Sequence, residues 1–277
     1  MLPNLIVIGA AKAGTTSLHE YLAKHPEIAM SRRKELDFFV PDKNPGHGLD
    51  WYERQFDDAP VRGESSPSYS VHPVRPGVPG RIHAVVPDVK LIYVVRDPIE
   101  RIVSHYVHRS VNHPQIGTFE EALAHPEGGP EIVAYSRYWH QLEQYLEVFS
   151  AEQILVVDSD EMRTRRAETL ERVFRFLGVD PSFRTPEFEQ WHNLGVTHGR
   201  TTRSGQAALR VLRGTLGTRG ALAVRRLAPR AVKARFRTPY ERPVPSPELR
   251  ARLEGELRPE VEQLRAHTGL AFAGWSI

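Results

Sequence analysis

Thirteen residues near the N-terminus, Leu5-Ile6-Val7-Ile8-Gly9-Ala10-Ala11-Lys12-Ala13-Gly14-Thr15-Thr16-Ser17, constrain this chain more than any other stretch. An apolar run enters a glycine turn, and the turn opens into a hydroxyl-rich helix start. At such a strand–turn–helix corner, unpaired backbone N–H groups and the helix dipole hold an oxyanion without help from any particular side chain. Gly9 and Gly14 keep the G-x4-G spacing of a P-loop, yet Thr15 stands where that motif places its lysine. Lys12 lies three residues earlier, inside the turn, which points to an anion other than a nucleoside triphosphate. The plain alternative is a glycine turn with an exposed lysine.

Apolar runs at 5–8, 91–95 and 154–157 read as buried strands, each followed by a helical pattern. Strands alternating with helices predict an α/β chain with a three-layer, P-loop-like fold, a central parallel sheet flanked by helices. One helix is expected from Thr15 to before His25-Pro26, and another after Arg96-Asp97-Pro98 with Ile102, Val103 and Tyr106 turned inward. Two more are expected at about 133–149 and 161–177, the latter ended by Gly178. Residues 1–277 read as a single domain. Within it, 195–245 is expected to form a basic, mobile flap. In 246–277, a helix at about 247–268, kinked near Pro259, is expected to dock on the core through Leu249, Leu253, Leu257, Val261 and Leu264.

The chain has no cysteine, which removes disulfides, thiolate catalysis and cysteine-held metals. It has no 18-residue apolar run and no basic leader, so a soluble, cytoplasmic protein is expected. The net charge of +3 hides an asymmetry: residues 200–242 hold eleven arginines and Lys233 against Glu241 alone, which leaves the rest of the chain at −8. With only Phe236 and Tyr240 as aromatics, that segment lacks the stacking groups of a nucleic-acid binder, and no nucleic acid is expected as partner. An acidic carrier, an anionic membrane surface or a polyanionic acceptor would suit it. So would a solvated flap over a charged nucleotide.

A second motif follows the apolar run 91–95: Arg96-Asp97-Pro98-Ile99-Glu100-Arg101-Ile102-Val103-Ser104. At the carboxyl end of a parallel strand, Arg96 stands at the edge where open α/β sheets bind ligands. Ser104, about two helical turns on, can meet the same anion. The structural alternative is a local Arg96–Asp97 ion pair and an ordinary surface serine. Asp97 could be mistaken for a Walker B acid, but its place beyond the apolar run disfavours a magnesium role. His105 and His108 lack a third ligand partner. Tyr135, Tyr138 and Trp139 could stack on a base or sugar, though core packing suits them better.

Together the two motifs resemble the sulfotransferases that use 3′-phosphoadenosine 5′-phosphosulfate, over about residues 4–185. Lys34-Glu35-Leu36-Asp37-Phe38-Phe39, Gly48-Leu49-Asp50-Trp51-Tyr52 and Gly63-Glu64-Ser65-Ser66-Pro67-Ser68-Tyr69 are similar to segments of the heparan-sulfate-type branch and its bacterial relatives. The resemblance implies that Lys12, Ala13, Gly14, Thr15, Thr16 and Ser17 form the 5′-phosphosulfate loop. It also implies that Arg96 and Ser104 hold the 3′-phosphate and that Glu35 is the base for a small-molecule or glycan acceptor. Lys12 and Glu35 would then be the catalytic pair, 3′,5′-adenosine bisphosphate the product, and no metal required. A P-loop small-molecule kinase and a non-catalytic nucleotide-binding protein are the rival readings.

The chain departs from the branch at three places. Ser65 replaces a lysine, Asp37 stands where many members have histidine, and the cysteine-bridged C-terminal loop is missing. Arg200 and Arg203, in His198-Gly199-Arg200-Thr201-Thr202-Arg203, are expected to supply the cationic closure instead.

Overall fold

The computed structural model describes residues 1–44, 46–112, 116–126, 128–190, 200–201, 205, 207–208, 210–212, 214–217, 220, 224, 237–238 and 242–277. Its main sheet has five strands: β1 (Leu5–Gly9), β2 (Ile28–Met30), β3 (Val61–Ser65), β4 (Lys90–Val95) and β5 (Ile154–Asp158). They run in the order β2-β3-β1-β4-β5, and every pairing is parallel. β1, β4 and β5 are the three apolar runs of the sequence. The other two strands have no such signature, because β2 has three residues and β3 reads Val-Arg-Gly-Glu-Ser. Glu64 and Ser65 are nonetheless fully buried, so β3 is a core strand whose interior is partly polar.

The helices are α1 (Thr15–Leu22), α2 (Leu49–Glu53), α3 (Val78–Val85), α4 (Pro98–Asn112), α5 (Phe119–Ala124), α6 (Gly129–Ala134), α7 (Tyr138–Leu146), α8 (Ser159–Thr164), α9 (Arg166–Leu177) and α10 (Pro247–Thr268). They flank the sheet, as an all-parallel sheet with buried strands requires. Two expected helices are each divided. The expected helix over 133–149 breaks between α6 and α7, where the buried Ser136 hydroxyl donates to the Pro98 carbonyl at 2.9 Å and accepts from the Arg101 guanidinium at 2.5 Å. The expected helix over 161–177 starts two residues early, because Asp158 caps α8 by accepting from the Asp160 N–H. It then breaks at Arg165, whose φ of −129° and ψ of 51° are not helical. Gly178, at φ 80°, ends α9 with N–H bonds to Phe174 and Arg175 carbonyls.

α10 starts on a Ser246 cap, and Pro259 lies inside it without ending it. Its Leu249, Leu253 and Leu257 share an apolar cluster with Ile99, Ile102 and Val103 of α4, while Val261 and Leu264 join the main core. Glu260 fixes the helix laterally, accepting from Arg137 Nε at 3.1 Å and from the His140 N–H at 2.8 Å. A two-residue antiparallel pair, β6 (Arg200–Thr201) with β7 (Arg237–Thr238), lies beside α4. The Arg200 side chain, Arg203 and most of the expected flap at 195–245 lie outside the described residues. Among the described residues, no helix is long and apolar enough to cross a membrane.

The strand order places β1 at the centre, with the chain going to one side for β2 and β3 and to the other for β4 and β5. Ligands of open α/β sheets enter the crevice at such a switch point, outside the strands' carboxyl ends. The loop after β1 and Arg96 after β4 both open there.

Candidate functional site

The loop between β1 and α1 is built around two backbone constraints. A Cβ on Gly9 would lie 1.9 Å from Ser70 Oγ, so only glycine lets the strand leave the sheet here. Gly14 caps α1 at φ 101°, a left-handed conformation that glycine adopts freely. No side chain caps α1 and its first turn carries no acid, which leaves the leading N–H groups open to an external anion. Gly14, Thr15 and Thr16 lie at this opening, while the Ala13 N–H is bonded to the Ala10 carbonyl at 3.1 Å and closes the turn before it. The corner is therefore a place where an oxyanion can be held by backbone donors.

Lys12 sits in the same turn with φ at 71°. Its ammonium is pushed below its usual value, first by burial. The attraction of Glu35 opposes that shift, while the repulsion of Lys34, Arg101 and Arg96 adds to it. Residues distant in sequence thus act on one cation through its electrostatic surroundings.

Glu35 lies on the segment after β2, with φ at 63°, and its N–H donates to the Ser65 carbonyl at 3.0 Å. Its exposed carboxylate accepts from Lys34 Nζ at 2.7 Å. Asp37, at φ 51°, accepts from Lys43 at 3.0 Å and from the Ser68 hydroxyl, and its N–H donates to Ser66 Oγ at 3.0 Å. Four non-glycine residues among those described have positive φ, and three of them are Lys12, Glu35 and Asp37. Each such residue costs about 1–2 kcal/mol, a strain that concentrates where side-chain placement matters.

Beneath this rim lies a second layer that sequence reasoning missed. His19 of α1 is buried, and its Nδ1 shares a 3.0 Å hydrogen bond with Ser65 Oγ. Burial, aided by the Lys34 cation and against the pull of Glu35, lowers its pKa to about 4. Glu64, the neighbouring strand residue, accepts from Ser66 at 2.6 Å, Tyr69 at 3.0 Å and the Tyr52 hydroxyl. Burial raises its pKa to about 7 against the opposing pull of those three hydroxyls, with Asp37 adding to the rise.

Arg101, fully buried under the loop, donates to the Ala11 carbonyl at 3.3 Å, to His105 Nδ1 at 3.1 Å and to the Ile132 carbonyl. Desolvation brings even this guanidinium down to about 10. An arginine one helical turn before a histidine, on an inward stripe, was the signal available for it.

On the β4 side, Arg96 donates to Glu100 at 3.3 Å, and its backbone carbonyl accepts from Tyr138 at 2.8 Å. Ser104 follows Glu100 by four residues on α4, so it lies half-buried on the same face. Asp97 bonds the Glu100 N–H at 2.8 Å and the Ser276 N–H at 2.5 Å, serving as helix cap and tail anchor. Tyr138 and Tyr135 are core residues, and Trp139 packs against His267.

The chain matches the family model described as "Sulfotransferase domain" over residues 2–196. It is 31% identical over 192 residues to human heparan sulfate glucosamine 3-O-sulfotransferase 5, covering 65% of this chain and 54% of that protein. It is 35% identical over 187 residues to human heparan sulfate glucosamine 3-O-sulfotransferase 3B1, covering 64% and 46%. The chain thus spans about half the length of these curated relatives. A solved sulfotransferase from Alicyclobacillus acidocaldarius superposes with a TM-score of 0.72 at 24% identity, covering all of both chains, a likeness of fold.

Proposed function

This chain belongs to the sulfotransferase family, and we propose that it transfers a sulfuryl group from 3′-phosphoadenosine 5′-phosphosulfate to a hydroxyl or amine. The acceptor class we favour is a carbohydrate, since the names of the curated relatives are those of glycan-modifying enzymes. The observation that carries the reading is the convergence of Lys12 with Glu35 and Arg96, from three separate strand ends, around an uncapped helix start. When bound, the donor supplies the sulfuryl group, whose bond to the 5′-phosphate oxygen breaks as a bond to the acceptor forms.

The chain's own residues divide the remaining tasks. The N–H groups at the start of α1 bind the 5′-phosphate, and Lys12 offsets the charge that grows on the leaving oxygen. Glu35 takes the proton from the acceptor hydroxyl or amine. Arg96 and Ser104 hold the 3′-phosphate. A sulfuryl group carries one negative charge fewer than a terminal phosphoryl group, so lysine and backbone donors can replace the metal clamp of phosphoryl transfer. Asp97 supports this reading over a P-loop kinase, because its oxygens are engaged by backbone N–H groups.

Calorimetric titration tests the proposal. Binding of 3′,5′-adenosine bisphosphate in magnesium-free buffer is expected, and ATP with magnesium is expected to bind much more weakly. Tight binding of ATP with none of the bisphosphate would overturn it.

A further inference from the structure

The candidate 3′-phosphate site has a feature that opposes an anion. Glu100 places a carboxylate four residues along from Arg96, and its Oε2 is bonded to the Arg96 guanidinium at 3.3 Å. A carboxylate there occupies one nitrogen of the guanidinium, offsets its charge and repels a phosphate as well. The same Oε2 also accepts from Arg242 Nη2, which lies within 3.4 Å of the Glu100 carbonyl oxygen too. Arg242 comes from the segment leading into α10, beyond the residues matched by the family model.

The C-terminal segment secures the other side of Arg96 as well. The Ser276 N–H donates to Asp97, and the Trp275 ring lies 5.7 Å from Tyr138, whose hydroxyl holds the Arg96 carbonyl. Its anchoring there does not depend on Arg242, since α10 is held by its leucines and by Glu260.

We propose that Arg242 is a positioning residue for nucleotide binding: by neutralising Glu100 it releases the Arg96 guanidinium to the 3′-phosphate. Glu100 and Arg242 are both about half exposed, so they can exchange partners without disturbing the core. Arg96 trades one oxyanion for another, and Glu100 keeps a cation throughout. This inference rests on the assignment of Arg96 to the 3′-phosphate.

The test is a calorimetric cycle with Arg242→Gln, Glu100→Gln and the double variant, each titrated with 3′,5′-adenosine bisphosphate and with 5′-AMP. Arg242→Gln should weaken the bisphosphate about five-fold, the scale of one partly exposed ion pair, and leave 5′-AMP unchanged. The double variant should return to the affinity of Glu100→Gln. An unchanged Arg242→Gln, equal losses for both nucleotides, or a double variant as weak as Arg242→Gln would each overturn the proposal; the last would mean that Arg242 touches the phosphate itself. If the parent protein binds the bisphosphate no more tightly than 5′-AMP, the Arg96 assignment fails first and the inference goes with it.

Discussion

On one face of β3, Ser65 meets the imidazole of His19; on the other, Glu64 meets the hydroxyls of Tyr52, Tyr69 and Ser66. The two residues are neighbours on one strand and therefore face opposite ways. Both environments exclude water, and exclusion disfavours the charged form of whatever titrates there. It drives the histidine pKa down to about 4 and the glutamate pKa up to about 7. The lesson is a division between floor and rim. His19 and Glu64 in the buried layer are driven towards neutrality, Arg101 keeps its charge there, and Lys12, Lys34, Glu35 and Arg96 stand above them.

The strongest way to break that division is at the rim. Glu35→Gln should lower kcat by about 10²–10⁴-fold, the range for losing a general base, while affinity for 3′,5′-adenosine bisphosphate stays the same. Lys12→Ala should weaken both turnover and bisphosphate binding. Parent-level turnover in Glu35→Gln would remove the base from the rim.

The next effect separates the two faces by pH. Below 6.5 an unfolded histidine takes up a proton that folded His19 refuses until about pH 4, so acid through that window favours unfolding. Folded Glu64 keeps its proton up to about pH 7, whereas an unfolded glutamate loses it near 4.5, so rising pH through that window favours unfolding. The two slopes have opposite signs and largely cancel between pH 4.5 and 6.5. Relative to the parent, Glu64→Gln should gain about 3 kcal/mol of stability between pH 4.5 and 7, and His19→Asn should lose about as much between pH 4 and 6.5. Urea unfolding across this range measures both, and curves parallel to the parent would refute the division.

A smaller change sharpens the link between floor and rim. Ser66 donates to Glu64 and accepts from the Asp37 N–H. Ser66→Ala should destabilise the protein by about 1–3 kcal/mol, since it leaves a buried carboxyl short of a donor. Chemical denaturation measures it, and a change below a few tenths of a kcal/mol would show the link to be idle.

Much of the scaffold was legible. The apolar runs became β1, β4 and β5, the glycine turn and Arg96 came to one crevice, and Asp97-Pro98 opened α4 as helix punctuation predicts. β3 was invisible because hydropathy reads Glu64 and Ser65 as surface residues, and their burial is bought by partners 12 and 46 positions away. The break between α6 and α7 was hidden for the same reason: Ser136 bonds Pro98 and Arg101, which lie 38 and 35 positions earlier. Arg101 was read with its motif but given no role, since its partners Ala11 and Ile132 belong to other parts of the chain.

Local sequence by itself determined the glycine turn and the helix start behind it, because Gly9 and Gly14 supply the backbone freedom that corner needs. It also determined that a displaced lysine would be near. Tertiary structure decided which charges meet there. Lys12, Glu35 and Arg96 follow three different strands, and only the parallel order β2-β3-β1-β4-β5 brings those ends to one edge. It also decided which ionisable groups would be charged, since that depends on the loss of water, and water is excluded by packing that no short stretch of the chain encodes.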